Sequence, residues 1–176
     1  MFEKIISWFR PKTPYKYEVI DIKASGCIFT NKSLILAGYQ PNKELAYISG
    51  IGGHREDGEE FQQTAFRETL EELFNVKTFP KGLLEKIEKT LVPQRVIKNE
   101  MYAFILLTFK DLEEILRICK RYRLRTPLYK KFPLTLNELI FNRILDPTAE
   151  ITHFSLIPMI KNISIDPYFV EDIGLI

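Results

Sequence analysis

Residues 52–76 read GGHREDGEEFQQTAFRETLEELFNV. From about Glu60 to Phe74 the spacing predicts one amphipathic helix, because Phe61, Ala65, Phe66, Thr69, Leu70 and Leu73 fall mostly on one arc. Glutamates crowd the other side. Glu68 and Glu72 are i,i+4 neighbours and Glu71 lies one turn from Glu68, so three carboxylates converge. Like charges at that spacing repel by roughly a few tenths of a kcal/mol per pair. A solvated acidic face is one account of such a helix. A cation site is the other: a hard ion such as Mg²⁺ or Mn²⁺ takes oxygen ligands and completes its shell with water and phosphate, which relieves the repulsion. Upstream, Gly52 and Gly53 have no Cβ, so backbone there can approach phosphate oxygens or take positive φ, and Gly58 does the same for the turn into the helix.

The full spacing is Gly53-x5-Glu59-x7-Arg67-Glu68-x2-Glu71-Glu72. Six specified positions at a background frequency of about 6% each would coincide in such a chain with a chance on the order of one in a hundred thousand. The pattern resembles the Nudix box of the MutT-like hydrolases. That resemblance implies an α/β/α sandwich with a mixed β-sheet, and hydrolysis of a diphosphate linkage in a nucleoside diphosphate joined to another group, with Mg²⁺ or Mn²⁺. By the same resemblance Glu68, Glu71 and Glu72 bind the cations and Glu59 is a further ligand or a partner of metal-bound water. Arg67 pairs with a neighbouring glutamate and fixes its orientation. Gly52 and Gly53 face the substrate phosphates. His54, Arg55 and Glu56 read as surface loop, since nothing in the spacing demands them.

The chain departs from the family pattern at three places. The glycine expected after the glutamate pair is Phe74, and the apolar position after it is Asn75. A one-residue extension of the helix reconciles both, because Asn75 tolerates the left-handed conformation that ends a helix and Val76 then supplies the apolar contact. The proline common before the double glycine is Ile51, which affects loop stiffness more than chemistry.

Working outward, Tyr17–Ile22, Gly26–Thr30 and Ser33–Gly38 are β-branched and apolar, with Asn31-Lys32 as a hairpin turn, and Ala46–Ile51 is a further strand ending in the glycine pair. Thr90–Ile97 and Met101–Phe109 read as paired strands, the second apolar throughout and therefore central. Asp111–Tyr122 has helical spacing with Asp111 as its cap, and Leu134–Ile144 repeats the pattern with Thr135 as N-cap. A strand near Glu150–Phe154 and a turn or helix at Ile157–Ile163 follow, a segment that resembles the late strand of Nudix domains through Glu150 and Phe154. Residues 2–9 read as a short helix. Strands on both sides of a central helix, with further helices late, give a mixed α/β class.

At 176 residues the length suits one domain over 1–176, with 1–16 as an N-terminal extension and 111–147 as a helical insertion carrying a basic loop. Hydrophobic residues at 45% and charged residues at 27% exclude disorder and a membrane-spanning bundle. Lys4 and Arg10 break the N-terminal apolar run, so a cytoplasmic, intracellular location is expected. Cys27 and Cys119 show no metal spacing and read as reduced, buried side chains. The net charge is only +2, yet 117–131 carries Arg117, Lys120, Arg121, Arg123, Arg125, Lys130 and Lys131 with no acid. A solvated face explains such a run, and so does a polyanion site.

Three substrate readings stand side by side. An RNA-decapping hydrolase would use Arg121, Arg123, Arg125, Lys130 and Lys131 to track RNA phosphates. A small-molecule pyrophosphohydrolase would act on nucleoside triphosphates, dinucleoside polyphosphates or nucleotide sugars. A non-catalytic RNA-binding module would need none of the carboxylates. The basic cluster is larger than a diphosphate requires, which favours capped RNA. For the general base, Glu59, Glu100, Glu138 and Glu150 are candidates, since a base need only reach the attacking water.

Overall fold

Strand segments gathered from both halves of the chain build one seven-stranded mixed sheet with helices packed on it. The computed structural model describes residues 21–41 and 47–160; the expected helix at 2–9 and the strand at 17–22, apart from Asp21 and Ile22, lie outside the described residues. In chain order the elements are β1 (Ala24–Thr30), β2 (Leu34–Gln40), β3 (Tyr47–Ser49), β4 (Ile51–His54), α1 (Phe61–Phe74), α2 (Leu83–Thr90), β5 (Arg95–Lys98), β6 (Tyr102–Thr108), α3 (Phe109–Arg121), α4 (Leu136–Phe141) and β7 (His153–Pro158).

The sheet divides at β1. Along its whole length β1 pairs in parallel with β6, from Ala24 opposite Tyr102 to Thr30 opposite Thr108. On its other side it pairs antiparallel with β4 over residues 24–27 and touches β2 only at Thr30 opposite Ile35. Beyond that hairpin β2 turns to β7 and β3. The hairpin itself rests on Lys32 at φ 76° and on Asn31, whose side-chain oxygen accepts from the N–H groups of Ser33 and Leu34. β6 lies between β1 and β5, as its apolar run requires, with Ala103, Ile105 and Leu107 fully buried.

Helix α1 packs on β1 and β4. Ala65, Leu70, Leu73 and Phe74 are fully buried against a core that includes Phe29, Ile51 and Ile105. Each such leucine or phenylalanine contributes about 2 kcal/mol of burial. The helix ends as the sequence predicts: Asn75 sits at φ 51°, ψ 52°, its N–H donates to the Glu71 carbonyl at 2.7 Å, and Val76 packs against the core.

Several boundaries differ from the sequence reading. The single strand expected at 46–51 is two, broken at Gly50, and the glycine pair lies inside β4 opposite Ser25 and Gly26. Thr90 belongs to α2, a helix the periodicity does not announce because Leu83 and Ile87 are its only fully buried side chains; the strand begins later, at Arg95, after Pro93 has removed a donor. Helix α3 starts at Phe109, capped by Thr108, whose own N–H donates to the Asp111 carboxylate at 2.7 Å, so Asp111 completes the capping box rather than acting as the cap. Helix α4 keeps Thr135 as N-cap but stops at Phe141, because Arg143 turns inward. Strand β7 begins at His153, later than the expected Glu150, and takes in Ile157 and Pro158, which were expected in a turn or helix; residues 161–163 lie outside the described residues. Both cysteines are buried and unpaired, and burial pushes each thiol up to about 12. Among the described residues no helix is long and apolar enough to cross a membrane.

Candidate active site

The site is built where β4 crosses α1. A Cβ on Gly53 would stand 2.5 Å from the Glu68 carboxyl carbon and from Oε2, so this strand and this carboxylate are in direct apposition. Gly52 has φ 150° and would place a Cβ 2.5 Å from the Gly26 Cα and 2.6 Å from the Ser25 carbonyl. Its own N–H donates to Glu72 Oε2 at 2.8 Å. The two glycines thus do different work: Gly52 lets strands approach and orients Glu72, and Gly53 makes room for Glu68.

Arg67 is the hub. Its side chain is only 8% exposed, and every guanidinium nitrogen is used. Nε donates to Glu59 Oε1 at 2.7 Å; Nη1 donates to Glu68 Oε1 at 2.8 Å and Glu71 Oε1 at 3.2 Å; Nη2 donates to the His54 carbonyl at 2.7 Å and Glu59 Oε2 at 3.1 Å. Glu59 Oε2 also accepts from the Glu56 N–H and the Thr64 hydroxyl, so Glu59 is committed to holding Arg67 and the loop 54–59. Glu56 itself is exposed, 4.0 Å from Arg67, and Arg55 is exposed in the loop as expected, whereas His54, also exposed, is the last residue of β4, opposite Ala24, rather than loop.

These contacts separate the carboxyls. Burial pulls Glu59 upward, but the hydrogen bonds from Arg67, the Glu56 backbone and Thr64 outweigh it and hold the group below its ordinary value. For Glu68 burial wins: it is raised despite Arg67, with the charges of Glu71 and Glu150 adding to the effect. Lys77 donates to Glu71 Oε2 at 2.8 Å, and that hydrogen bond raises its own pKa. Burial pushes the Tyr102 phenol up to about 12, helped by the charges of Glu72 and Glu68.

The donor chemistry fits a hard divalent cation. Glu68, Glu71 and Glu72 present carboxylate oxygens from one side of a helix, burial holds Glu68 raised even beside Arg67, and Gln40 Oε1 is buried without a hydrogen-bond partner. In the arrangement described, Arg67 and Lys77 supply the balancing charge. Among the described residues no group of three or more His, Cys, Asp or Glu side chains is gathered in a form that holds a metal ion.

Of the candidate bases outside the glutamate motif, Glu100, Glu138 and Glu150, it is Glu150 that is brought to the helix. Gln40 Nε2 donates to Glu72 Oε1 at 3.2 Å and to Glu150 Oε1 at 3.3 Å. Glu138 instead accepts from the Leu134 N–H and lies 3.9 Å from Lys131, and Glu100 stands exposed in the β5–β6 turn. Gln40, Lys77, Tyr102 and Arg143 are neighbours that the sequence reading did not single out. None carries a local signal; each arrives from a different strand or loop.

The basic run divides. Arg117 and Arg121 both donate to Glu114, at 2.6 and 2.9 Å, and Lys131 faces Glu138, acids that lie outside the run itself. Arg123 and Arg125 are exposed on a groove of about 410 Å³ whose opposite wall is Lys77–Pro80. The same wall lines an open cleft of about 780 Å³ that reaches Glu59, Arg67 and Glu71. Lys130 is exposed beyond it.

No family model matches the chain, and none of the curated proteins matches it.

Proposed function

We propose that the chain is a Nudix-type α/β/α sandwich and a divalent-metal-dependent hydrolase that cleaves a diphosphate linkage in a nucleoside diphosphate joined to a second group. The observation that carries this reading is the apposition of Gly53 to Glu68, with Arg67 gripping Glu59, Glu68 and Glu71 in one buried network. A purely structural helix has little use for three carboxylates, Glu59, Glu68 and Glu71, grouped about the two positive charges of Arg67 and Lys77, because the excess negative charge costs stability.

In this reading Glu68, Glu71 and Glu72 hold Mg²⁺ or Mn²⁺, which when bound screens the diphosphate and lowers the pKa of water. Arg67 keeps Glu68 and Glu71 aimed, and Glu59 keeps Arg67 in place. The Gly52 N–H fixes Glu72. Glu150 would accept the proton of the attacking water, a role supported by its link to Glu72 through Gln40.

Capped RNA is the substrate this reading favours, because Arg123 and Arg125 lie on a groove that shares a wall with the cleft at Glu71. The test is to incubate the protein and its Glu71→Gln/Glu72→Gln form with cap-labelled RNA and Mg²⁺ or Mn²⁺ and to follow release of the cap nucleoside diphosphate. Release by the unmodified protein alone is the expected result. Hydrolysis confined to free nucleotides would move the substrate to small molecules, and inactivity on both would leave a binding module.

A further inference from the structure

The last four carbonyls of a helix have no partner within it, and an end buried without partners is costly. At the end of α1 all four are satisfied. The Asn75 N–H takes the Glu71 carbonyl at 2.7 Å, and the Thr126 hydroxyl takes that of Phe74 at 2.7 Å. The two between them belong to Arg143, whose Nη2 donates to the Glu72 carbonyl at 3.1 Å and Nη1 to the Leu73 carbonyl at 2.6 Å. Nη2 also donates to the Ile151 carbonyl at 2.6 Å, one residue from Glu150. Arg143 as a residue is 9% exposed, and its guanidinium carbon lies 4.6 Å from the Phe154 ring centroid and 5.9 Å from that of Tyr129.

One buried fork therefore ties the backbone of Glu72 to the segment that carries Glu150, while Gln40 ties their carboxylates. Stability alone does not explain the choice. Burial lowers the Arg143 pKa, its Nε is buried without a partner, and its bonds run to carbonyls and a phenol rather than to a carboxylate. A well-packed apolar side chain is often equal to or better than such an ion for stability. What an apolar side chain cannot do is hold three carbonyls of two segments at fixed separation.

We propose that Arg143 is a positioning residue that sets the separation of Glu72 and Glu150, so that the 111–147 segment, which supplies Thr126 and Arg143, holds the end of the carboxylate helix. This rests on the hydrolase reading for its consequence in catalysis, but not for its consequence in geometry. Both are read in one experiment on Arg143→Lys, which keeps the charge and loses the fork. With the fold retained by thermal melting, exchange of the Gly52 amide, which reports Glu72 through its hydrogen bond, should quicken about 10-fold, and Mn²⁺ affinity should fall about 10-fold. Turnover should fall between about 10- and 100-fold with KM within about threefold.

Tyr129→Phe removes the phenol oxygen, which accepts from Nη1 at 3.2 Å and donates to the Leu139 carbonyl at 2.8 Å, but keeps the bonds of Arg143 to the three carbonyls, and should leave all three readouts near those of the unmodified protein. A folded Arg143→Lys with unchanged Gly52 exchange overturns the proposal, whatever the activity. Equal losses in Tyr129→Phe would also overturn it, as general loosening. If Arg143→Lys does not fold, Arg143→Gln is measured in sucrose, which favours the compact state. Failure of both to fold makes the residue structural only and likewise sinks the idea. Absence of turnover in the unmodified protein would instead refute the hydrolase reading, and Gly52 exchange still decides the role of Arg143.

Discussion

Adjacent glycines in β4 should respond in opposite ways to the same added methyl group. In Gly53→Ala the new Cβ lies 2.5 Å from the Glu68 carboxyl, and ordinary contact begins at about 3.4 Å, so the carboxylate must retreat by about 0.9 Å. The obstacle is the far end of a flexible side chain, and Arg67 grips only Glu68 Oε1, at 2.8 Å. An off-rotamer adjustment costs about 1 kcal/mol, which for a chain of this size lowers Tm by only about 2–4 °C. A displacement of about 1 Å at a reacting group costs on the order of 100-fold in rate. In Gly52→Ala the obstacles include backbone, the Gly26 Cα at 2.5 Å and the Ser25 carbonyl at 2.6 Å, at a φ of 150° that side chains avoid. That strain costs about 3 kcal/mol, a Tm loss of roughly 6–12 °C. Melting followed by circular dichroism, together with single-turnover hydrolysis at saturating Mn²⁺, separates the two effects. Gly53→Ala with normal turnover would refute the role given to Glu68, and equal melting of the two variants would refute the argument from close approach.

Opposite pKa shifts at Glu59 and Glu68 give opposite pH signatures. Glu68 is raised, so the folded protein binds that proton more tightly than the unfolded chain and its charged form is a burden at neutral pH. Glu68→Gln should therefore melt at or above the unmodified protein at pH 7 while losing turnover, with the melting gap closing as pH falls through the raised value. Glu59 is depressed, so its stabilisation is full above the ordinary glutamate value of 4.5 and is lost as pH falls through the depressed one. Glu59→Gln should melt lower at pH 7, by the equivalent of about 1.5–3 kcal/mol, and converge with the unmodified protein in acid. Melting curves from pH 3 to 8 check both signs. For RNA binding, Arg125→Ala should reduce the slope of log affinity against log salt by about 0.7, the value for one single-strand phosphate contact. Arg117→Ala should leave that slope unchanged, because Glu114 already holds Arg117 at 2.6 Å.

Elements set by neighbours along the chain are largely legible in the sequence, although the cap of α3 falls on Thr108 rather than Asp111. The helix 61–74, its end at Asn75, the β1–β2 hairpin and the Thr135 cap all depend on residues within a few positions of one another. Helix α2 was missed because two buried side chains in eight residues are a weak pattern until Leu83 and Ile87 meet the core. The 117–131 run looked uniformly basic because Glu114 and Glu138, which bind three of its cations, lie outside it.

The sequence by itself determined that α1 would present Glu68, Glu71 and Glu72 on one side, since helical periodicity is a property of neighbours along the chain. It also determined that glycines would precede them. Only the tertiary structure decided that Gly53 opposes Glu68, that Gln40 and Glu150 join Glu72, and that Arg143 reaches back to the helix end. Those contacts link residues 15 to 110 positions apart and come from sheet pairing and core packing. No local spacing encodes them, because the partners meet only when distant apolar faces are buried together.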